Sequence, residues 1–205
     1  MLYIIMSGTK LRIRPSRSEH NKSERRAYSE RIVLRNMRQS MNFDFCPQCG
    51  MKLRPKNCGD EGEIPYCDNC RRPFFPFSYP CVICLCITED NSEIALIKQS
   101  YVSQNYINVA GYIKQGETPE CTAVREVMEE VGLEVSELHY IKSYHYPKKD
   151  NLMIGFVCRV KKGELKLSCE VDSAEWFPLK YAQQMLRYDS VGWNLLNDYL
   201  HSVKN

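Results

Sequence analysis

The stretch that decides the fold is GYIKQGETPECTAVREVMEEVGL, which spans residues 111–133. A helix is predicted within it, because Thr118 is a favourable N-cap residue and Pro119 occupies the first helical position. Gly132 marks the end of that helix, since glycine readily adopts the left-handed conformation that follows a helix C-terminus. The segment is therefore predicted to be a glycine-containing loop followed by a single helix.

Several glutamates of the predicted helix share one face. A helix turns by about 100° per residue, so Glu126, Glu129 and Glu130 fall within an arc of about 100°. Carboxylates this close repel one another unless a cation lies among them, and Mg²⁺ or Mn²⁺ is the natural partner. Such ions take further ligands from substrate phosphates, which indicates phosphoryl chemistry. A solvated Glu-rich face has the same spacing, so spacing alone leaves both interpretations open. The opposite face is predicted to pack in the core, and it carries Cys121, Val124, Val127, Met128 and Val131.

Short apolar runs on either side of this helix predict a mixed sheet. A β-hairpin is indicated by Cys81–Thr88 and Ile94–Gln99, which flank a turn-like Glu-Asp-Asn-Ser segment. Strands mixed with helices, without strict alternation, favour an α/β fold with the sheet packed between helices. The other predicted strands are Ile107–Ala110, Leu138–Tyr146, Leu152–Val160, a weak strand after Gly163, and Ala174–Phe177; the C-terminal helices are predicted at Leu179–Arg187 and Val191–Val203.

The segment before this sheet has the composition of a metal-stabilised module. Residues 41–78 are dense in Cys, Pro and Gly and contain almost no aliphatic run, so they need a metal to fold. Cys46-Pro-Gln-Cys49 and Cys67-Asp-Asn-Cys70 are two CxxC pairs whose thiolates can close a tetrahedron around Zn²⁺. Because all four positions are filled by protein, that zinc is structural. In Cys81-Val-Ile-Cys84 the cysteines are expected on opposite sides of a strand, which disfavours a shared metal.

Charge and cysteine content exclude some classes of protein. Residues 1–40 carry ten Lys/Arg against three Asp/Glu, which leaves 18 basic and 22 acidic residues in 41–205. The mildly acidic body disfavours a broad nucleic-acid surface, and the basic tail is expected to be disordered, with contact to polyanions as the alternative. The cysteines number 11, an odd count that disfavours a disulfide framework. Without a bilayer-spanning run or a signal peptide, a cytoplasmic protein with no membrane partner is expected.

The complete pattern around the helix, G-x5-E-x7-R-E-U-x-E-E-x-G-U with U aliphatic, resembles the Nudix box of the Nudix hydrolase superfamily at every specified position. The resemblance implies a Nudix α/β/α sandwich with a mixed sheet. It also implies that Glu117 supports the metal shell or the loop, that Arg125 orients carboxylates, and that Gly111 allows the backbone to approach the ion or a phosphate. The metal ligands that it implies are Glu126, Glu129 and Glu130.

Over residues 41–178 the chain is similar to the NAD(H) pyrophosphatase type, in which a four-cysteine zinc ribbon precedes the Nudix domain. Pro80-Cys-Val-Ile83 resembles the family's entry into its first Nudix strand, and Ala110-Gly-Tyr112 the approach to its box. Glu170 matches a later acidic position, which makes it a candidate further metal ligand or general base, with an ordinary surface glutamate as the alternative. The implied organisation is a basic tail at 1–40, a zinc ribbon at 41–78 and a Nudix domain at 79–205.

One family signature is only partly present. The family's S-Q-P-W-P-F-P-x-S-L-M is replaced by Ser143-Tyr-His-Tyr-Pro-Lys-Lys-Asp-Asn-Leu-Met153, which keeps an aromatic at the tryptophan position as Tyr146. Tyr112 and Tyr146 are the rings expected to stack on a base or nicotinamide. Lys148 and Lys149 are new cations that could contact a substrate phosphate, or simply form a solvated turn.

The function implied by this resemblance is metal-dependent hydrolysis of NAD(H) to NMN(H) and AMP, in a chain expected to form a homodimer. Alternative substrates are ADP-ribose, another nucleoside-diphosphate derivative, or the NAD-like cap of an RNA. An alternative of another class is a nucleic-acid-binding regulator, in which the zinc ribbon and basic tail read the nucleic acid and the Nudix domain senses a ligand. The complete glutamate set favours the enzyme.

Overall fold

The structure of the chain, a computed structural model, describes residues 43–203. They belong to one compact unit, Phe43–Asn205. The predictions made for the tail at 1–40 lie outside the described residues. Within the described part of the chain, the helices fall short of the length and apolarity that a membrane crossing requires.

A small antiparallel sheet comes first along the described chain. Its strands pair in the order β1-β2-β3, and a short 3-10 helix, Gly59–Glu61, lies between β1 and β2. The hairpin formed by β1 and β2 is reinforced by an ion pair between Arg54 and Asp68. The strands are β1 (Arg54–Asn57), β2 (Glu63–Cys67) and β3 (Arg72–Pro73).

A larger, mixed sheet follows, as the sequence predicted. Its order is β7-β8-β4-β5-β9, and β6 pairs with the first half of β4. The β4–β8 pairing is parallel and the other pairings are antiparallel. The strands are β4 (Tyr79–Thr88), β5 (Glu93–Lys98), β6 (Val109–Tyr112), β7 (Val135–Tyr146), β8 (Asn151–Val160) and β9 (Ser173–Pro178).

The central strand β4 is buried on both faces, which explains its unbroken apolar sequence. Val82, Cys84 and Cys86 belong to one hydrophobic cluster, and Ile83, Leu85 and Ile87 to a second. Successive strand residues point to opposite faces, so Cys84 and Cys81 lie on opposite sides of the sheet. This agrees with the prediction that they do not share a metal.

One helix covers each face of the sheet. Helix α1 (Pro119–Val131) contributes Ala123, Val127 and Val131 to the cluster around Cys84. Helix α2 (Val191–Ser202) contributes Leu195, Leu196 and Tyr199 to the cluster around Leu85. The predicted α/β/α sandwich is therefore confirmed.

The boundaries of α1 are those that the sequence predicted. Thr118 Oγ1 accepts a hydrogen bond from the Cys121 amide at 3.3 Å, and Pro119 opens the helix. Gly132 has φ 66° and its amide donates to the Met128 carbonyl at 3.1 Å. Cap, proline and glycine together determine where the helix starts and stops.

Three sequence-based predictions about local structure are wrong. Cys121, Val124 and Met128 were expected in the core but are exposed, because the helix turns its Ala123–Val127 side to the sheet and so brings part of the carboxylate face inward. Leu179–Arg187 is not a full helix but a 3-10 helix, Leu179–Gln184. The weak strand after Gly163 is absent from the described chain, which connects β8 to β9 without a strand.

Candidate active site and metal sites

The carboxylate face of α1 lies against strand β6. A Cβ atom built on Gly111 would stand 1.9 Å from Glu126 Oε1, a distance at which atoms overlap. The Glu126 carboxylate therefore occupies the space that a side chain at position 111 would need. Glycine at the start of the box is explained by this contact between strand and helix.

Replacing Gly111 with alanine is expected to displace the Glu126 carboxylate and to lower kcat/KM by roughly 100-fold, the effect of misplacing a reacting group by about 1 Å. Gly163→Ala is the matched control, because the nearest atom to a Cβ there is 4.0 Å away. Metal-dependent turnover and thermal unfolding should be measured for both variants. Equal activity in the two folded variants would contradict the role given to Gly111.

Arg125 joins the loop before α1 to the glutamates on the helix. Its Nε donates to Glu117 Oε1 at 2.7 Å, and its Nη2 donates to Glu117 Oε2 at 2.9 Å. Its Nη1 donates to Glu126 Oε1 at 2.7 Å and to Glu129 Oε2 at 2.8 Å. Its Nη2 also reaches the Tyr112 carbonyl at 3.2 Å. One guanidinium thus bonds to the carboxylates of Glu117, Glu126 and Glu129 at once.

Glu117 links the loop before α1 to the helix. Beyond its two bonds to Arg125, its Oε2 accepts from Thr122 Oγ1 at 2.7 Å and from the Lys114 amide at 3.2 Å. These hydrogen bonds, led by the one from Arg125, lower the pKa of Glu117 to about 2. The carboxylate is therefore a fixed anion that holds the loop between β6 and α1.

Glu130 is the buried member of the glutamate set, with 4% of its surface exposed. Gln99 Nε2 donates to its Oε1 at 2.9 Å, and the Ala110 amide lies 3.4 Å from its Oε2. Burial is the main cause that raises its pKa to about 7, with repulsion from Glu126 next. Burial also raises the pKa of Glu126, against the opposing effect of Arg125.

These residues fit a divalent cation. Two carboxylates are pressed into a site where burial disfavours their ionised forms, and a bound cation would reverse that effect. Arg125 holds one oxygen each of Glu126 and Glu129, which leaves Glu126 Oε2 for another cation, while Glu129 Oε1 faces the Lys114 ammonium at 3.9 Å. All-oxygen donors suit Mg²⁺ or Mn²⁺.

The four predicted zinc ligands come together beside the small sheet. Cys46 Sγ and Cys70 Sγ are 3.8 Å apart, and Cys49 Sγ and Cys67 Sγ are 3.6 Å apart. A zinc tetrahedron with bonds of about 2.3 Å places its sulfurs about 3.8 Å apart, so the observed Sγ–Sγ distances fit a zinc ion. Within residues 43–203 this is the only group of three or more His, Cys, Asp or Glu whose ligand atoms lie within 4.8 Å of one another. The box glutamates are more widely spaced.

The predicted substrate rings lie on the other side of the sheet from α1. Paired residues of neighbouring strands point to the same face. Gly111 pairs with Val82 on the α1 face, whereas Tyr112 pairs with Cys81 and Tyr146 with Asn151 on the opposite face. Tyr112 still contacts α1 through its carbonyl, so β6 carries the carboxylate contact on one face and an exposed ring on the other.

Glu170 and Lys149 both act electrostatically on this region. Glu170 is exposed, and its charge contributes to the raised pKa values of Glu130 and Tyr101. Burial is the main cause that raises the pKa of the Cys81 thiol to about 11, and the Glu126 charge raises it further. The charge of Lys149 acts in the opposite direction and lowers that pKa. Lys148 is exposed in the same turn. The role of each in the reaction stays a prediction.

Two contacts near the candidate site were missed by sequence reasoning. Gln99, which holds Glu130, is 6% exposed and directly follows β5, where no motif marks it. Asp172 Oδ2 accepts from the Ser100 amide at 2.5 Å and so ties the loop after Gln99 to the segment that carries Glu170. The only signal was position: both lie next to a strand end.

Comparison with known proteins agrees with this geometry. The family model of the NUDIX domain matches residues 78–198, more than half of the chain. The chain belongs to the NUDIX domain family. The match covers the six-stranded sheet, α1 and the first two-thirds of α2, and the four-cysteine module precedes it.

Curated relatives extend the likeness beyond the NUDIX domain. The "NAD-capped RNA hydrolase NudC" of Pseudomonas aeruginosa (strain LESB58) is 31% identical over 157 residues, which are 76% of this chain and 55% of that protein. "Nudix hydrolase 19, chloroplastic" of Arabidopsis thaliana is 31% identical over 165 residues, 75% of this chain and 37% of that protein. The chain thus spans about half the length, or less, of these two relatives.

Solved structures show the same fold. A NUDIX hydrolase from Nitrosomonas europaea matches with a TM-score of 0.62 at 20% identity, covering 77% of this chain and 88% of that one. The NUDIX domain of Shewanella oneidensis NrtR, solved with ADP ribose, matches with a TM-score of 0.55 at 15% identity, covering 67% of this chain and 94% of that domain. At these identities the likeness concerns the fold alone.

Proposed function

We propose that the chain is a metal-dependent hydrolase that cuts the diphosphate bond of an NAD-type dinucleotide, most favourably NAD(H), to give NMN(H) and AMP. The observation that carries the proposal is the contact of Glu126 with Gly111 within a glutamate set organised by Arg125. The relatives named as NAD-capped RNA hydrolases support an NAD-type substrate.

The residues divide the work of the reaction. Glu126, Glu129 and Glu130 would hold Mg²⁺ or Mn²⁺, with Glu170 as a further candidate. When bound, such an ion neutralises charge that develops on the diphosphate oxygens. Arg125 keeps two of the carboxylates in fixed orientations, and Glu117 keeps the loop against the helix.

The bond change itself needs water and a proton acceptor. A water oxygen forms a bond to one phosphorus while the bridging P–O bond breaks, so that each product leaves with a monophosphate. The proton released by water passes to a carboxylate, for which the exposed Glu170 is the candidate. Glu130 is buried and already hydrogen-bonded to Gln99, which suits a ligand better than a proton acceptor.

We propose the same organisation that the sequence predicted, with a structural zinc ribbon at 41–78, a Nudix domain at 79–205, and a cytoplasmic location. The sulfur spacing of Cys46, Cys49, Cys67 and Cys70 supports Zn²⁺ as the ion of the ribbon. A ligand-sensing regulator of nucleic acid is the less favoured alternative, because a sensor has no need of the complete glutamate set.

The test is a substrate screen with Mg²⁺ or Mn²⁺ over NADH, NAD⁺, ADP-ribose, FAD and diadenosine polyphosphates, with products identified by mass spectrometry. The proposal expects NADH or NAD⁺ to give the highest kcat/KM and AMP to be one product. A higher kcat/KM for ADP-ribose or diadenosine polyphosphates would show that the preferred substrate is not NAD(H), and would leave the proposed diphosphate hydrolysis unchanged. No turnover of any of them would remove the enzyme assignment.

A further inference from the structure

A row of aromatic rings connects the zinc-ligand module to the candidate active site. Successive ring centroids are 6.2, 5.8, 5.4 and 6.2 Å apart along the row. We call it the aromatic strip, and its rings in order are Phe74, Phe43, Phe77, Tyr79 and Tyr112. It runs from Phe74, directly after β3 of the small sheet, to Tyr112 at the end of β6.

The strip is open to solvent where it approaches the site. Phe77 is 48% exposed and Tyr112 is 50% exposed, fractions that are unusual for rings that only fill a core. Phe77 meets the ring of Tyr79 at an interplanar angle of 78°, and Tyr79 meets Tyr112 at 87°. Such edge-to-face contacts turn the faces of neighbouring rings in different directions and hold each ring in place.

Cations border the strip. The Tyr79 amide donates to the Asp150 carbonyl at 3.0 Å, which fixes the exposed Lys148–Lys149 turn beside the first residue of β4. The charge of Lys149 lowers the pKa of Cys81, which is the strand partner of Tyr112. At the far end the Arg72 guanidinium lies 5.2 Å from the ring centroid of Phe74.

The strip is continuous with the reaction site through Tyr112. Its ring contacts Tyr79, while its carbonyl accepts a hydrogen bond from Arg125, the residue that orients the glutamates. A substrate that occupies the glutamate site and continues past β6 would therefore pass directly onto the strip. Exposed rings bordered by cations are the combination that binds single-stranded nucleic acid, because bases stack on rings while ammonium and guanidinium groups meet phosphates.

We propose that the aromatic strip, together with the Lys148–Lys149 turn, binds the single-stranded RNA chain of a substrate whose 5′ end is an NAD-type dinucleotide. This inference rests on the proposed function and extends it from the scissile group to the chain attached to it. The mildly acidic body does not oppose it, since the surface in question is a narrow strip and not a broad basic face. A protein partner is less well matched, because cations border the strip at both ends whereas the core of a protein interface is depleted of charge.

The test compares two substrates, NADH and a short RNA that carries NAD at its 5′ end, in the full chain with Mg²⁺. Phe77→Ala is expected to lower kcat/KM for the capped RNA about tenfold, the loss of one base–ring stack. For NADH the change should stay within about twofold, as for an ordinary surface substitution. Phe77→Trp keeps a stacking ring and should retain activity on the capped RNA. Phe45→Ala is the matched control, an exposed phenylalanine of the same module outside the strip.

The salt dependence of RNA binding is a second readout, which a purely structural effect of a substitution would not change. Each phosphate contact contributes about 0.7 to the slope of log affinity against log salt for a single strand. Lys149→Gln should reduce that slope by about this amount in fluorescence anisotropy with a labelled single-stranded RNA. Lys161→Gln, which follows the opposite end of β8, should leave the slope unchanged.

The outcomes separate this inference from the proposed function. Binding of uncapped single-stranded RNA is measured without turnover, so it tests the strip even if NADH proves not to be a substrate. The strip assignment fails if folded Phe77→Ala binds RNA like the wild type, or if both substrates lose activity equally. It also fails if sedimentation shows that Phe77→Ala separates a dimer, because a second copy of the chain would then cover the strip.

Discussion

Glu129→Gln and Glu130→Gln are each expected to lower kcat about 100- to 1000-fold, the usual loss when a charge-stabilising group is removed from an active site. The substitution removes the charge that would hold the metal and leaves the side-chain volume unchanged. Turnover of NADH at saturating Mg²⁺ and the thermal unfolding midpoint should be measured together. Glu120→Gln, on the exposed first turn of the same helix, is the control. Near-wild-type rates in both variants would contradict the assignment of the metal site.

Glu130→Gln carries a second expectation, for the metal-free protein. The folded-state pKa of Glu130 is raised from 4.5 to about 7, so folding binds a proton between these pH values. The wild type therefore loses stability as the pH rises from about 4.5 to about 7, and above that range the ionised buried carboxylate costs on the order of 3 kcal/mol. Glutamine has no such cost. The stability advantage of Glu130→Gln should grow with pH through this window and disappear below it.

Thermal unfolding of chelator-treated wild type and Glu130→Gln across this pH range measures the effect. Mg²⁺ should raise the midpoint of the wild type more than that of the variant, because the ion binds the folded state. A stability difference that is independent of pH would show that Glu130 is not the titrating group.

The second large effect concerns zinc. Cys46→Ser or Cys67→Ser should reduce the zinc content from about one ion per chain to nearly none, because both sulfurs are buried in a module with little apolar core. We expect the small sheet to lose protection from hydrogen exchange and the thermal midpoint to fall. Cys169→Ser, an exposed cysteine outside the group, is the control. Zinc that remains near one per chain in both variants would rule out the four-thiolate site.

Local signals in the sequence determined the parts of the fold that were predicted correctly. The ends of α1 follow from Thr118, Pro119 and Gly132, whose capping preferences depend on their own backbone and not on distant partners. The clustering of the four cysteines followed from spacing, since each CxxC pair forms one turn by itself. The mixed sheet followed from apolar runs such as Cys81–Thr88, which lies in a strand buried on both faces.

The rest depended on how the elements pack. The helical spacing placed the glutamates on one side of α1 but gave the wrong core face, because the rotation of α1 is set by its packing against the sheet and not by the helix itself. Met128 is exposed for that reason, while Glu130 is buried. The hydrogen bond from Gln99 to Glu130 joins residues 31 positions apart, and no periodicity reports such a contact. The face of the sheet on which Tyr112 lies could not be predicted without knowing the register of β4 with β6.

The most direct test of the central claim is NADH hydrolysis by protein from which loosely bound metal has been removed with a chelator while zinc is retained. The account predicts that this protein is inactive, that Mg²⁺ or Mn²⁺ restores formation of NMNH and AMP, and that Glu129→Gln is not restored. Full activity without added metal, at an unchanged zinc content, would contradict it.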